Sequence, residues 1–452
     1  MSKVFRRRLS GWTYPEIVRG EGVYLWDREG RRYLDGSGGA IVVTVGHGVP
    51  EIADAIRQQA VRAPYVHGTQ FTSTPMEELA TLLAQRAPLD DARLFLVSGG
   101  SEATETAIKL ARQYQVARGK PGRYKVVFRW PSYHGSTLGA LSISGRPTLR
   151  ATFAPLLQKM PHIPAPYAYR CALPGCGPAC SLECARALEA TIKTEGPDTI
   201  AAFIAEPVIG ASAGAAVPPP EYFRIVREIC DRYGVLFIAD EVMTGIGRTG
   251  KWFGIEHWDV RPDVVTTGKG LTSGYLPGGA VLVKGEILET IQAGGGFHHG
   301  FTYSHHPVVA AAGVAVTRYV ERHGLVERAR VQGAYLHQKL QRLLDLPAVG
   351  DVRGLGLMAA VELVQERKSK TPYPATAHIA QNVQAEALRR GVVVYASGGQ
   401  VDGAGDLVMV GPPLVVERPQ IDEVVAVLGD AIAATTGAPS PSPLPHRGRG
   451  SR

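Results

Sequence analysis

The sequence has 452 residues, of which 45% are hydrophobic and 20% are charged. These values are typical of a globular protein with a large core and two or three domains, and they exclude a disordered or fibrous chain. The formal net charge of +8 comes mainly from the ends, because residues 1–10 contain four basic residues, residues 431–452 contain three, and neither segment contains an acid. The rest is nearly neutral and has no membrane-length apolar run, so we expect no nucleic-acid or membrane partner.

The N-terminal region begins with basic residues but lacks the apolar stretch of a secretory signal, so we expect a cytoplasmic protein. Residues 22–35 (GVYLWDREGRRYLD) predict a β-hairpin. After it, short apolar runs alternate with amphipathic stretches. The predicted strands are residues 93–97, 125–129, 199–205, 235–239, 264–267 and 279–283. The predicted helices include residues 101–118, 181–194 and 220–233. This alternation indicates an α/β fold with a large, mostly parallel sheet covered on both faces.

Beyond about residue 306 the pattern changes to long helices followed by strands at 359–363, 392–395 and 407–410 and a helix near 419–434. We interpret this as a smaller α+β domain, which the N-terminal hairpin could join. The predicted division is residues 1–60 for an N-terminal segment that joins the small domain, 61–324 for the large domain and 325–436 for the small domain. Residues 437–452, rich in Pro, Ser, Gly and Arg, predict a disordered tail.

Two strands of the predicted large sheet end in residues that can carry chemistry. One ends at Asp240 and the next at Lys269, which stands between two glycines. The carboxyl ends of parallel strands line the crevice where such sheets bind ligands. A lysine that forms an imine, together with a carboxylate that pairs with a protonated pyridine nitrogen, suits pyridoxal phosphate.

A phosphate site and a ring-binding site can be sought in the same predicted domain. LVSGGSEAT runs from a strand through two glycines into a helix, so Gly100 and Ser101 could bind a phosphate, or Ser101 could simply cap the helix. PSYHGS follows another strand and places Tyr133, which could stack on a flat ring, beside His134. The alternative for Tyr133 is a partly buried aromatic side chain in a turn.

Two further patterns suggest other classes of protein. Four cysteines, at positions 171, 176, 180 and 184, lie in one loop, and a zinc-binding interaction protein is the hypothesis from them. Their spacing lacks the paired C-x2-C units of most zinc sites, so reduced thiols are the other interpretation. GIGRTG at 245–250 has dinucleotide-binding spacing, but the following KWFG does not predict the helix that this site needs.

Taken together, the motifs resemble those of the class III aminotransferases, within the fold-type-I pyridoxal-phosphate enzymes. The resemblance runs from about residue 13 to 434 and rests on FIADEVMTGIGRTG followed by DVVTTGKGLTSGYLP. VSGGSEATETAIKLAR, PSYHGSTLGALSISG, IAEPVIG and HHGFTYSHHP resemble further family blocks in the same order. It implies a fold-type-I transferase whose small α+β domain is built from both termini, with pyridoxal 5′-phosphate as cofactor.

The resemblance also implies a role for individual residues. Lys269 would be the Schiff-base lysine and proton carrier, and Asp240 would pair with the pyridine nitrogen. The remaining cofactor-binding residues would be Gly100, Ser101, Tyr133, His134, Glu206, Val242 and Thr302. Thr302 would reach the phosphate of a neighbouring subunit, which implies a homodimer with shared active sites, or a tetramer built from it.

Substrate recognition is the least determined part of the resemblance. GPPLVVER, residues 411–418, resembles the stretch in which many members place a carboxylate-binding arginine, so Arg418 is the candidate. The alternative is a solvent-facing arginine at a helix N-terminus. Residues 40–45 lack the aromatic wall of several amine transaminases, which leaves the donor open.

The implied activity is transfer of an amino group from an amine or ω-amino acid to an oxo acid such as pyruvate or 2-oxoglutarate, with ping-pong kinetics. An aminomutase or a decarboxylating transaminase on the same scaffold is the alternative that the motifs leave open.

Overall fold

Helices and strands alternate along most of the chain in the computed structural model, which describes residues 3–6, 12, 14–171, 173 and 180–437. The strands are β1 (Ile17–Glu21), β2 (Tyr24–Asp27), β3 (Arg32–Asp35), β4 (Arg93–Val97), β5 (Lys125–Trp130), β6 (His162–Pro164), β7 (Ile200–Ala205), β8 (Leu236–Asp240), β9 (Val264–Thr267), β10 (Gly279–Val283), β11 (Val349–Leu355), β12 (Met358–Leu363), β13 (Val392–Val393), β14 (Tyr395–Val401) and β15 (Ala404–Val410). The helices are α1 (Gly38–Ile41), α2 (Pro50–Arg62), α3 (Thr74–Ala84), α4 (Gly100–Ala117), α5 (Leu138–Ser142), α6 (Pro147–Arg150), α7 (Glu183–Glu195), α8 (Tyr222–Tyr233), α9 (Gly285–Ala293), α10 (Pro307–Arg322), α11 (Leu325–Leu340), α12 (Ile379–Arg389) and α13 (Arg418–Thr436).

The large sheet has seven strands in the order β4-β10-β9-β8-β7-β5-β6. Neighbouring strands from β6 to β9 are parallel, whereas β10 runs antiparallel to both β9 and β4. The predicted mostly parallel sheet is therefore confirmed, with β10 as its reversed strand. The chain passes from β9 to β10 without an intervening α-helix, and a direct return of this kind joins antiparallel neighbours.

Both faces of this sheet are buried, as its nearly continuous apolar strands predict. Phe203 and Phe237 point to one face, where they join the core formed with α7 and α8. Ile204 and Ile238 point to the opposite face and pack with α4 and α9. The alternation of successive side chains across each strand thus explains why every residue of β7 and β8 is buried.

The smaller domain contains two four-stranded sheets, β1-β2-β3-β13 and β11-β12-β15-β14. β3 pairs in parallel with β13 from the C-terminal half, with Leu34 beside Val392. The prediction that both termini build this domain, with the hairpin β2–β3 as the N-terminal contribution, is confirmed. Helices α12 and α13 pack against each other, and both contact β13.

Some predicted elements differ from those in the structure. The single strand predicted at 392–395 is wrong, because Val392–Val393 pair with β3 while Tyr395 begins β14 in the other sheet. Residues 161–178, rich in Pro, Tyr and Cys, are typical of a surface loop, but the structure has a short strand at their start, where β6 pairs with β5. Apart from Gly437, the predicted tail lies outside the described residues. Cys176 also lies outside them. No helix among the described residues is both long and apolar enough to cross a bilayer.

Candidate active site

The candidate site lies at the carboxyl ends of two neighbouring parallel strands. β8 ends at Asp240, which is opposite Thr266 of β9, and Lys269 follows β9 by two residues. Asp240 and Lys269 line the same cavity, which has a volume of about 180 Å³. The amine and the carboxylate singled out from the sequence therefore face one small space.

Asp240 is held by three contacts and is only 3% exposed. One carboxylate oxygen, Oδ2, lies 2.6 Å from Nδ1 of His134. The other, Oδ1, accepts hydrogen bonds from the Thr266 hydroxyl at 3.2 Å and from the Val242 amide at 3.1 Å. A buried carboxylate with these partners has a defined orientation and can stabilise a positive charge in the cavity.

His134 is buried and also lines the cavity. Its backbone is positioned by Ser144, whose hydroxyl accepts from the His134 amide at 2.8 Å, and by Thr104, which donates to the His134 carbonyl at 2.7 Å. Among the described residues, Nε2 of His134 has no hydrogen-bond partner. An unpaired nitrogen in a buried position beside the cavity is a group that a bound polar ligand would satisfy.

Lys269 has a backbone φ of +39°, which is uncommon for a residue with a side chain. Burial lowers the pKa of its ammonium group to about 8, and this effect is partly offset by the carboxylates of Asp240 and Glu206. With this pKa about one-tenth of the lysine is a neutral amine at pH 7, far more than for an ordinary lysine. Such an amine can act as a nucleophile or as a base.

Helix α4 begins at the cavity, with Gly100 and Ser101 in its lining. A Cβ atom at Gly100 would lie 2.9 Å from Cγ1 of Val242, so a side chain at this position would have to displace the cavity wall. Ser101 Oγ accepts a hydrogen bond from the Ser136 amide at 3.0 Å. The amides of this helix N-terminus and the Ser101 hydroxyl form an environment that favours a phosphate.

Glu206 follows β7 and lines the cavity wall. Its Oε1 accepts from the Gly210 amide at 3.1 Å, and Oε2 lies 3.7 Å from Nη2 of the fully buried Arg129. Burial raises the pKa of the Glu206 carboxyl above its usual value, against the lowering effect of His134 and Arg129. Glu206 is therefore a second acid at the cavity whose charge depends on its neighbours.

Four lining residues were not predicted, namely Gly135, Gly210, Ala211 and Met243. Gly135 and Met243 lie within sequence motifs that had been singled out, and Gly210 ends IAEPVIG. A Cβ atom at Gly135, where φ is +144°, would lie 2.7 Å from Ser101 Oγ. The motifs thus contained a signal for these positions, but their orientation toward the cavity depends on the fold.

Two predicted site residues are not brought to the cavity. Thr302 is exposed, and its carbonyl accepts a hydrogen bond from Tyr65 at 2.9 Å. Arg418 is exposed at the start of α13, and its guanidinium carbon lies 4.8 Å from the centre of the Tyr335 ring. This placement corresponds to the alternative interpretation of Arg418, and it does not support the carboxylate-binding role in a single subunit.

The segment 40–45 contributes an apolar side to the site. Ile41 is buried in a cluster with Ala211, Met358 and Met409, and Met243 packs against this cluster. Ala211 and Met243 both line the cavity. Ile41 therefore packs behind two residues of the cavity wall, in a cluster that the aromatic side chains of Trp258 and Tyr395 also contact.

In the part of the chain that the structure describes, no group of three or more His, Cys, Asp and Glu residues is arranged to hold a metal ion. The described residues of the cysteine loop include Cys171, Cys180 and Cys184, but not Cys176. Tyr167 and Arg170, at the start of this loop, both bond the buried carboxylate of Glu362. These bonds attach the start of the loop to β12 of the small domain.

Comparison with known proteins identifies the family. The model of the family described as aminotransferase class-III matches residues 10–432. YodT of Bacillus subtilis, an uncharacterized aminotransferase, is 41% identical over 425 residues, which cover 93% of this chain and 96% of that protein. The putrescine–pyruvate aminotransferase of Pseudomonas aeruginosa is 37% identical over 429 residues, covering 93% and 91% of the two chains.

A solved structure agrees with this result. The thermostable (S)-enantioselective omega-transaminase of Thermomicrobium roseum superimposes with a TM-score of 0.88 at 41% identity, and the match covers 93% of each chain. The chain belongs to the class III aminotransferases, an enzyme family with the fold-type-I architecture. This agrees with the resemblance and does not favour the aminomutase, decarboxylating or zinc-binding alternatives.

Class III aminotransferases depend on pyridoxal 5′-phosphate. The described cavity fits this cofactor in three respects: Lys269 offers an amine, Asp240 offers a buried carboxylate with His134 behind it, and the start of α4 offers a phosphate environment. The unpaired Nε2 of His134 is a further polar group that an occupant of the cavity would contact.

Proposed function

We propose that this enzyme transfers an amino group from an amine or ω-amino acid to an oxo acid such as pyruvate or 2-oxoglutarate by a ping-pong mechanism. The observation that carries the proposal is the shared cavity of Lys269 and Asp240, at the ends of adjacent parallel strands. When bound, pyridoxal 5′-phosphate supplies an aldehyde that condenses with amines and a ring that accepts an electron pair.

Each lining residue contributes a distinct physical effect in this proposal. Lys269 Nζ would hold the cofactor covalently and, as a neutral amine, would take up the proton from the carbon that bears the donor's amino group. Its lowered pKa makes this possible near neutral pH. Asp240 would keep a proton on the pyridine nitrogen of the cofactor, because its buried carboxylate is more stable beside a positive charge.

The remaining lining residues position the cofactor. Gly100 and Ser101, at the start of α4, would hold its phosphate, and the lining residues Tyr133 and Val242 would contact its ring. His134 would contact the ring, and it orients Asp240 through the bond of 2.6 Å. Glu206 lies where a substrate group would meet the wall of the cavity.

Covalent labelling provides the direct test. Purified enzyme should absorb visible light as an imine, and reduction with borohydride should attach the cofactor to Lys269, as read by peptide mass spectrometry. Lys269→Ala should lose the label and about 10²–10⁴-fold in activity, whereas exposed Lys251→Ala on a neighbouring loop should retain both. A label on any other lysine would contradict the assignment.

A panel of ω-amino acids, diamines and arylalkylamines with pyruvate or 2-oxoglutarate then identifies the donor class.

We further propose that two copies of the chain form a homodimer with shared active sites. Thr302 is exposed beside an aromatic pair, in which Tyr65 and Tyr303 meet edge to face at 6.3 Å between ring centres. Tyr303 is 60% exposed, which is unusual for a large aromatic side chain and typical of a surface that a partner covers. In the dimer, Thr302 would bind the cofactor phosphate of the other subunit.

Mixing two inactive variants tests the sharing of sites. Lys269→Ala and Thr302→Glu should each be inactive alone, but a mixed dimer contains one site with both intact groups. Equal mixing after subunit exchange should restore about a quarter of the wild-type activity. Light scattering should show that Tyr303→Asp weakens the dimer, while Leu156→Asp, at another exposed position, does not. Absence of recovery on mixing would contradict shared sites.

A further inference from the structure

The loop that carries GIGRTG, residues 245–250, lies directly against the segment that contains Lys269. Gly270, the next residue, is buried between two side chains, because a Cβ atom there would lie 2.7 Å from Oγ1 of Thr44 and 3.2 Å from Cβ of Ile246. Thr44 belongs to the N-terminal segment, and Ile246 belongs to this loop. The backbone beside the lysine is therefore enclosed by two parts of the chain that are far apart in sequence.

Two residues at this contact have a strained backbone. The angle φ is +39° at Lys269 and +55° at Ile246, where a β-branched side chain makes this conformation especially unfavourable. Such conformations persist only where the surrounding structure holds them in place, and they are concentrated at functional sites. The groups that hold these two segments together therefore help to position the reactive amine.

Arg248 joins the parts of this enclosure and is only 2% exposed. Its guanidinium donates to three backbone carbonyls, from Nη1 to Leu357 at 3.0 Å and to Pro412 at 2.6 Å, and from Nη2 to Val43 at 3.1 Å. Leu357 lies in the turn between β11 and β12, and Pro412 follows β15. A guanidinium can reach several acceptors because its N–H donors lie in a fixed fork. One buried side chain thus ties the GIGRTG loop to the N-terminal segment and to the sheet that contains β11, β12 and β15.

Ser273 holds the same N-terminal segment through a different contact. Its hydroxyl oxygen accepts hydrogen bonds from the amides of Thr44 at 2.8 Å and Val45 at 3.1 Å. The N-terminal segment is therefore held both by Arg248 and by a residue four positions after Lys269.

The charge of Arg248 also acts on the lysine. Burial is the main cause of the lowered pKa of Lys269, the carboxylates of Asp240 and Glu206 oppose it, and the guanidinium of Arg248 lowers this pKa further. The neutral amine is thus favoured by the same side chain that holds the enclosure together.

We propose that Arg248 is a positioning residue that keeps the reactive lysine in place by holding the GIGRTG loop and the N-terminal segment together around Gly270. This inference rests on the proposed role of Lys269 in binding the cofactor, and it gives GIGRTG a function other than dinucleotide binding. Without the guanidinium, the backbone of Lys269 would relax toward a more common φ, and Nζ would move relative to Asp240. A displacement of about 1 Å at a reacting group can lower a rate about 10²-fold.

The rate of imine formation tests this role. Pyridoxal 5′-phosphate is added to the cofactor-depleted full-length protein, and the visible absorbance of the imine is followed. In Arg248→Met, which has no N–H donors, the rate constant should fall about tenfold or more while the amplitude stays near that of the wild type. A purely structural role would lower the amplitude, because fewer molecules would fold, and would leave the rate constant unchanged. Arg248→Lys should lose less, and Arg261→Met, at an exposed position between β8 and β9, is the matched control.

Hydrogen exchange of the holoenzyme, measured by mass spectrometry, locates the effect. In Arg248→Met, peptides covering residues 43–45 and 267–271 should exchange about tenfold faster, whereas β7 of the large sheet should not change. Ser273→Ala removes the other contact of the N-terminal segment without changing any charge. It should accelerate exchange at 43–45 and slow imine formation, so it and Arg248→Lys provide the same comparison if Arg248→Met does not fold.

The two proposals fail in different ways. A wild-type rate constant for imine formation in the Arg248 variants, together with unchanged exchange at 43–45 and 267–271, would overturn the role of Arg248. Imine formation does not require amino transfer. A holoenzyme that forms the imine normally but transfers no amino group from any donor would therefore overturn the transaminase proposal alone.

Discussion

The two ends of the active site are built in different ways. The cofactor end is formed by residues at or just after strands of one sheet, and its groups are mutually bonded, as with Asp240, His134 and Thr266. The substrate end is formed where separate parts of the chain meet, as where Ser397 of β14 donates to the carbonyl of the lining residue Ala211 at 2.6 Å.

This contrast suggests how members of one family retain a reaction while their substrates differ. The cofactor end depends on strand order and on buried groups whose replacement leaves a partner unsatisfied. The substrate end depends on the position of β14, which belongs to a different sheet from the strands that carry Asp240 and Lys269. We therefore expect substitutions at the cofactor end to affect the reaction with every donor, and those at the substrate end to affect only some donors.

The largest effect after loss of Lys269 is expected for Asp240→Asn. This substitution preserves the shape but removes the charge that stabilises a protonated ring nitrogen, so kcat should fall about 10²-fold or more for all donors. Steady-state kinetics with a diamine and an ω-amino acid measures this. Asp259→Asn, at an exposed position, is the control. A loss of kcat in Asp240→Asn that differs between the two donors would contradict the proposal that the cofactor end affects every donor equally.

The pH dependence of cofactor capture gives the next largest effect. Because burial lowers the pKa of Lys269 to about 8, the neutral amine, and with it the rate of capture by cofactor-free protein, should rise about tenfold per pH unit and level off above pH 8. Glu206→Gln removes a carboxylate that favours the ammonium form, so the midpoint should move to lower pH. A midpoint near the ordinary lysine value of about 10.4 would contradict this.

A pair of adjacent glycines tests the phosphate side of the cavity. Gly100→Ala places a Cβ atom 2.9 Å from Cγ1 of Val242, whereas a Cβ atom at Gly99 meets no atom within 4 Å. We expect about tenfold weaker cofactor binding for Gly100→Ala, equivalent to about 1.4 kcal/mol, and little change for Gly99→Ala. Equilibrium dialysis measures both, and equal affinities for the two variants would argue against close packing at this position.

The smallest effect is expected for Arg418→Ala. Its side chain is exposed and stacks on Tyr335, so its loss should cost at most about 1 kcal/mol of stability. KM for oxo acids should stay within about twofold of the wild-type value, as measured by steady-state kinetics with pyruvate and 2-oxoglutarate. A large rise in KM would mean that Arg418 leaves Tyr335 to reach the substrate, and it would extend the substrate end to α13.

Much of the large domain could be predicted because its signals are local. The bounds predicted for β4, β9 and β10 agree with the structure, since each strand is a short apolar run between turn residues. The assignment of residues 392–395 to one strand failed because residues 392–393 pair with β3, whereas Tyr395 pairs with β15. A run of four apolar residues does not indicate which distant strand each residue pairs with. The direction of β10 likewise depends on its connection and neighbours.

The sequence by itself determined the family, the large sheet and the reactive residues at the ends of its strands. It could do so because each of these features depends on a short continuous stretch of residues. Only the tertiary structure decided which side chains share the cavity. It brought Met243 and Ala211 into the cavity and left Arg418 on Tyr335. The physical reason is that packing and hydrogen bonding determine the contacts between segments far apart in the chain. Local residue patterns do not predict which of these contacts form.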